Sequence, residues 1–286
     1  MDKLIKKVST LLLFFVVIFG AKDIYADVVK QFAGRTVTFS NINLNETGLN
    51  VITAAPGAQI DLDLDWSSSY TTDYCPGCIQ QFYIGVKDVG ISCLYSGGTS
   101  YDVNGQGSLS FTAPSEPGVY AVQASFSLQY SCTQTASGVS NSVAGAVAYI
   151  HVDDNSDSVT RTFAGREVTF SDISLNNTGK DFVSVAPGAP VSLNLGWASQ
   201  YVTDYCPGCV QQFYIGVKDM DIDCIYSGNT ASNRSGSVSL DFMAPTEPGV
   251  YVVQSASSLQ YSCTRTQDTM SDVGTGIIGS FEVVAD

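Results

Sequence analysis

The nonapeptide QQFYIGVKD at residues 80–88 returns unchanged at residues 211–219, and the match extends outward from it in both directions. TDYCPGC at 72–78 recurs at 203–209, FAGR at 32–35 recurs at 163–166, EPGVY at 116–120 recurs at 247–251, and LQYSC at 128–132 recurs at 259–263. Residues 32–152 thus align with 163–283 at a constant offset of 131, without a gap. Solenoid repeats run to roughly 20–50 residues, so a period this long describes whole domains in series. The polar segment DDNSDS at 153–158 reads as the linker between a first module, 27–152, and a second, 159–286.

The period inside each copy is that of strands. Ile60, Leu62, Leu64 and Trp66 alternate with Asp61, Asp63 and Asp65, which predicts a half-buried strand. Residues 35–44, 80–86, 91–95, 108–112, 119–128 and 143–152 complete about seven strands, divided by turns at Pro56-Gly57, 87–90, Gly97-Gly98, 114–118 and Ser137-Gly138. Outside the N-terminus no amphipathic helix is visible. Seven short strands in about 120 residues predict an all-β chain of two tandem Greek-key sandwiches.

Residues 1–26 read as a secretory signal, with Lys3, Lys6 and Lys7 preceding an apolar run at 11–19 and Ala26 at the expected cleavage point. The run is too short for a membrane-spanning helix, and no later segment is apolar enough to insert, so the mature chain is expected to be secreted and soluble, or periplasmic in a Gram-negative source. The full chain carries 13 basic and 27 acidic residues, four and two of them before residue 27, which leaves 9 against 25. Phosphate binding needs clustered Lys and Arg, so nucleic acid and anionic membrane surfaces are not the expected partners.

Two stretches carry a resemblance. Ala113-Pro114, then Pro117-Gly118-Val119-Tyr120 with alternating Val122, Ala124 and Phe126, resembles the lead-in to a late strand of Ig-like and PKD-like sandwiches, and Pro245 to Tyr251 repeats it. It implies an Ig-like fold in which the Tyr hydroxyl bonds nearby backbone as a tyrosine corner. The order Cys-Pro-Gly-Cys, Gln-Gln-Phe-Tyr-Ile-Gly, Cys-x-Tyr-x-Gly, Gln-Tyr-Ser-Cys resembles a family of secreted cysteine-containing modules of uncharacterised role. Trp66 and Trp197 lie one strand earlier than the buried Trp of antibody domains.

Each module has four cysteines, Cys75, Cys78, Cys93 and Cys132, then Cys206, Cys209, Cys224 and Cys263. An even count in an exported chain predicts two disulfides per module, with three connectivities open. In a sandwich, the strand after the Cys-Pro-Gly-Cys loop runs antiparallel beside the strand at 119–128. The favoured pairing therefore joins one loop Cys to Cys132 and the other to Cys93. The alternative joins Cys75 to Cys78 and Cys93 to Cys132. A redox dithiol normally needs a helix N-terminus to stabilise its thiolate, and a Cys₄ zinc site normally needs a second close pair, so neither is expected.

No catalytic constellation stands out. The only His, His151, is replaced by Glu282 in the second copy, which rules out a histidine-dependent triad in both modules. Asp73/Asp204 and Glu116/Glu247 offer a carboxylate pair for glycoside chemistry, but acidic residues beside Pro-Gly are ordinary turn residues. No cofactor and no metal site is expected. The Asp61-Asp63-Asp65 ladder is absent from the second copy, and the acidic linker is the better of two weak calcium candidates. Asn45, Asn176 and Asn233 begin N-glycosylation triplets. The most suggestive surface is aromatic. Tyr70 and Tyr74, with Tyr201 and Tyr205, flank the Cys loops, and Gln81 and Gln212 lie just beyond. Tyr and amide side chains on a pinned loop suit recognition of a glycan or a cell-surface protein. The leading expectation is a secreted, non-enzymatic binding or adhesion protein. The rivals are a structural extracellular spacer and, last, a secreted hydrolase.

Overall fold

In the computed structural model the strand at Gln59–Tyr70 buries Ile60, Leu62, Leu64 and Trp66 and turns Asp61 and Asp63 outward, as their alternation requires. The structure describes residues 27–284 except 33, 72–74, 76, 99, 129–138, 155, 157, 204–205, 207, 230–231, 260–269 and 271–276. The expected signal at 1–26 lies outside the described residues. Module 1 contains β1 (Val28–Phe32), β2 (Arg35–Leu44), β3 (Val51–Ala54), β4 (Gln59–Tyr70), β5 (Ile79–Val86), β6 (Gly90–Gly98), β7 (Val103–Thr112), β8 (Gly118–Ser127) and β9 (Ala148–Val152). Module 2 repeats them as β10 (Ser158–Phe163), β11 (Arg166–Leu175), β12 (Phe182–Val185), β13 (Pro190–Tyr201), β14 (Val210–Val217), β15 (Ile222–Asn229), β16 (Arg234–Met243), β17 (Gly249–Leu259) and β18 (Ile277–Val283). Among the described residues each module thus has nine strands where the sequence pattern suggested about seven. The extra two are β1, which folds back on β2, and the four-residue β3, which pairs in parallel with the distant β9. A parallel pairing across about a hundred residues leaves no local turn signal.

Each module is a sandwich of a four-stranded sheet, β1-β2-β4-β7, and a five-stranded sheet, β3-β9-β8-β5-β6, with the same orders repeated in module 2. The chain changes sheet between β2 and β3, β3 and β4, β4 and β5, β6 and β7, and β7 and β8, so its strands cross repeatedly between the two layers, as a Greek-key order requires. Each sandwich has its own core. Phe39, Leu62, Phe82, Val122 and Ile150 lie in the first, and Phe170, Leu193, Phe213, Val253 and Phe281 in the second. Trp66 meets Phe82 edge-on at 6.1 Å, and Trp197 meets Phe213 at 6.2 Å. The Tyr120 hydroxyl donates to the Glu116 carbonyl at 2.7 Å and Tyr251 to Glu247 at 2.9 Å, the bond anticipated for a corner tyrosine.

The strands of a sandwich ordinarily bury one face. In β9 and β18 every residue is buried, so both faces are covered. The second cover is the other module. Val51, Val119, Ala121, Ala146 and Tyr149 of module 1 form one apolar cluster with Phe182, Val250, Val252 and Ile277 of module 2. The backbone of Val250 hydrogen-bonds the Tyr149 hydroxyl across this contact, and burial pushes that phenol up to about 12. The linker therefore joins two modules that are docked through the outer faces of their five-stranded sheets.

Candidate binding site at the disulfide-loop ends

Cys75 and Cys78 lie in the connection from β4 to β5 and are bonded to each other, with Cα atoms 5.5 Å apart, as are Cys206 and Cys209 in module 2. This corrects the favoured connectivity and supports the part of the alternative that joins the loop cysteines. The antiparallel neighbourhood of β5 and β8 assumed by the favoured pairing is present. A more local effect decides the bond. The Cys78 amide donates to the Cys75 carbonyl at 3.1 Å, and Gly77, at φ +78°, takes the left-handed turn position that glycine occupies without strain. The turn itself brings both Cys Cα atoms within disulfide reach before any strand pairing is required. Cys209 and Gly208 repeat the geometry. Cys93 and Cys224 are also in disulfides, and among the described residues no cysteine is free. Cys132 and Cys263 lie outside the described residues.

The loop end is held from below by a buried arginine, a framework that sequence reasoning missed. Arg35, 1% exposed, donates to the Ser68 hydroxyl at 3.1 Å and to the carbonyls of Gly98 at 3.2 Å and Tyr101 at 2.7 Å, with its guanidinium 5.9 Å from the Phe82 ring centre. Arg166 repeats this with Ser199, Asn229 and Ser232 and lies over Tyr226. The signal available in sequence was the recurrence of Arg35 as Arg166 at a strand start in a chain with few charges. Arg suits the place because its planar fork can satisfy several carbonyls at once.

Around this framework the predicted residues separate. Tyr70 ends β4, is 36% exposed, and its backbone amide donates to Asp102 Oδ1 at 2.6 Å. Tyr101, which sequence reasoning also missed, is 54% exposed and sits with its hydroxyl 3.5 Å from that of Tyr95. The Tyr95 hydroxyl donates to Gly98, and its pKa is pushed up to about 12, chiefly by burial, so it stays a protonated donor. In module 2, Tyr201 is half-buried, its amide donates to Asn233 Oδ1 at 2.8 Å, and Val202 beside it is exposed. Tyr74 and Tyr205 lie outside the described residues, as do Asp73 and Asp204. Gln81 and Gln212 are fully buried. The Gln81 amide donates to Ser96, its carbonyl oxygen accepts from Ser127, and Gln212 does the same with Ser227 and Ser258. These two amides cross-link strands and do not face a ligand, because both lie on a sheet face that is covered.

The other candidates have ordinary surroundings. Asp65 accepts from Asn41 and Gln106, and those bonds hold its carboxyl below the usual value. Asp61 accepts from Ser110. In the linker Asp154 accepts from the Ser156 amide. Among the described residues, no group of three or more His, Cys, Asp or Glu side chains converges as a metal site. The triplet asparagines Asn45, Asn176 and Asn233 each spend their carbonyl oxygen on a backbone amide across a turn or strand end. Among the described residues, no helix is long and apolar enough to cross a membrane. Set against known proteins, the chain matches no family model and no curated sequence.

Proposed function

We propose that this chain is a secreted, non-enzymatic binding or adhesion protein. In this reading it is a pair of Ig-like modules whose disulfide-loop ends contact a glycan or a cell-surface protein. The observation that carries the reading is the exposure of Tyr70 and Tyr101 at an end closed by the Cys75–Cys78 bond and clamped by Arg35. An aromatic surface on a fixed base loses little conformational entropy on binding, which is what rigid recognition ends require. The disulfides agree with export, and the crossing of strands between the two sheets agrees with an Ig-like order.

The test is a glycan-array and cell-surface binding screen with the mature chain, followed by Tyr70→Ala with Tyr101→Ala. Affinity is expected to fall about tenfold or more, the scale of an aromatic anchor, with the thermal midpoint little changed. A ligand whose affinity ignores both substitutions would overturn the assignment of the site. A second reading, a structural spacer, is favoured by the docking of the modules into one unit. Absence of any ligand across the whole screen would select it.

A further inference from the structure

The inner parts of the two loop ends match, and the outer parts do not. Tyr95 donates to the Gly98 carbonyl at 3.0 Å, and Tyr226 to that of Asn229 at 2.9 Å. Each lies over a glycine. A Cβ at Gly97 would come 2.4 Å from the Tyr95 hydroxyl, and one at Gly228 would come 2.6 Å from that of Tyr226. Two further positions change together: Gly98 and Tyr101 of module 1 correspond to Asn229 and Ser232 of module 2. The Tyr101 ring lies against Gly98, where a Cβ would come 3.3 Å from its Cε1 and 3.7 Å from its hydroxyl, so a longer side chain competes with the ring for its place. The backbone beneath is held alike in both modules. Arg35 donates to the Tyr101 carbonyl at 2.7 Å and Arg166 to that of Ser232 at 2.6 Å, while Asp102 and Asn233 accept the amides of Tyr70 and Tyr201. On this shared base, module 1 sets a tyrosine that is 54% exposed beside a carboxylate, and module 2 sets a serine beside an amide.

We propose that the end of module 1 alone is a sugar-stacking site, in which a neutral pyranose ring of a glycan packs on Tyr101 and donates a hydroxyl to Asp102, and that Gly98 is the residue that permits it. This rests on the reading of the loop ends as contact surfaces and narrows it. A pyranose carries C–H groups on its faces and hydroxyls around its rim, which matches an aromatic ring with an acceptor at its edge. Asp102 spends Oδ1 on the Tyr70 amide, and a carboxylate keeps lone pairs for a second donor. Charge selects among glycans. The chain after residue 26 has 25 acidic and 9 basic residues, so it repels uronates and other acidic sugars. A quaternary ammonium also suits acidic and aromatic groups, but it is held by several ring faces closed into a cage. Here Tyr95 presents its hydroxyl to Tyr101, at 3.5 Å, and not a ring face.

The test titrates the full mature chain with tetrasaccharides of β-linked glucose, galactose and N-acetylglucosamine and, as the rival, a trimethyllysine peptide. Amide chemical shifts and stoichiometry are followed. At least one tetrasaccharide is expected to bind at one site per chain and to shift amides around residues 98–102. Gly98→Asn, a residue that module 2 already accommodates at this position, is expected to weaken binding about tenfold or more with the thermal midpoint little changed. Asn229→Gly with Ser232→Tyr is expected to add a second site of similar affinity, a gain that no loss of folding can imitate. Two equivalent sites in the parent, indifference to Gly98→Asn, a graft that stays at one site, or capture of the ammonium peptide in place of every sugar would overturn the proposal. Silence from all three sugars would overturn it too. If another ligand is then lost with Tyr70→Ala and Tyr101→Ala, the sugar assignment alone falls, whereas a ligand indifferent to both substitutions removes the loop-end reading itself.

Discussion

The disulfide-loop end and the docking face have diverged differently within one chain. At the loop end the two modules keep the same framework residue for residue: Arg35 and Arg166, Ser68 and Ser199, Cys75 and Cys206, Gly77 and Gly208. At the docking face the corresponding residues differ: Val51 and Phe182, Ala121 and Val252, Tyr149 and Ser280, His151 and Glu282. Each loop end solves a local problem, the satisfaction of loop carbonyls over a buried cation, and each module solves it alone. The docking face solves one problem for both modules together. There a change on one side is met by a change on the other, as Tyr149 covers Gly249 and Val250 while Ser280 is fully buried. Even at the loop end only the framework is kept. The outermost residues change from Thr71, Tyr101 and Asp102 to Val202, Ser232 and Asn233, so the proposed contact surfaces of the two modules are not copies.

The comparison can be broken most directly at the arginines. Arg35→Met should remove three hydrogen bonds, leaving Tyr95 as the donor to Gly98, and lower the stability of module 1 by about 3 kcal/mol. Arg166→Met should lower module 2 by a similar amount, measured by denaturant unfolding of each module's aromatic signal. Unequal losses would show that the two frameworks are not equivalent. Next comes the loop bond. Replacing Cys75 and Cys78 together by Ser opens a ring of only a few residues, for which chain entropy gives about 2 kcal/mol, and the Cys206 and Cys209 replacement should match it.

The smallest expected effect is a pH dependence confined to the docking face. Burial is the main cause of a lowered His151 pKa, working against Asp181 and Asp153, which raise it. The docked state therefore favours neutral His151. Its contribution is complete above the ordinary value of 6.5 and is lost as pH falls below it toward the lowered value. Asp181 works in the opposite sense. Burial raises its pKa, so its cost in the docked state is relieved as it protonates on acidification. Scattering between pH 7 and 5 should show docking that weakens in the parent, and His151→Gln should lose that weakening and keep only the opposite trend of Asp181. Asp181→Asn should leave the histidine effect alone in view. A parent whose docking is indifferent to this range would remove the histidine from any part in the contact.

Much of each sandwich was legible because the information is local. The alternation from Ile60 to Trp66 sets which face is buried wherever the strand is placed, and the recurrence of QQFYIGVKD requires the same unit twice. The Tyr70 and Tyr201 positions followed from their place before the loop. Tyr101 did not, because its neighbourhood to Tyr70 depends on β7 lying beside β4. Gln81 and Gln212 were misjudged for a related reason. Alternation told that they leave the core, and it could not tell that the sheet's other face is also covered.

By itself, then, the sequence determined the period, the alternation and the even cysteine count, which together set two oxidisable all-β modules, since these depend on neighbours along the chain. Tertiary structure alone decided that an arginine lies under each loop, and that the outer faces of two sheets meet around His151 and Asp181. Those outcomes depend on residues far apart in sequence that become close only after the strands have paired, and no local pattern records a distance of that kind.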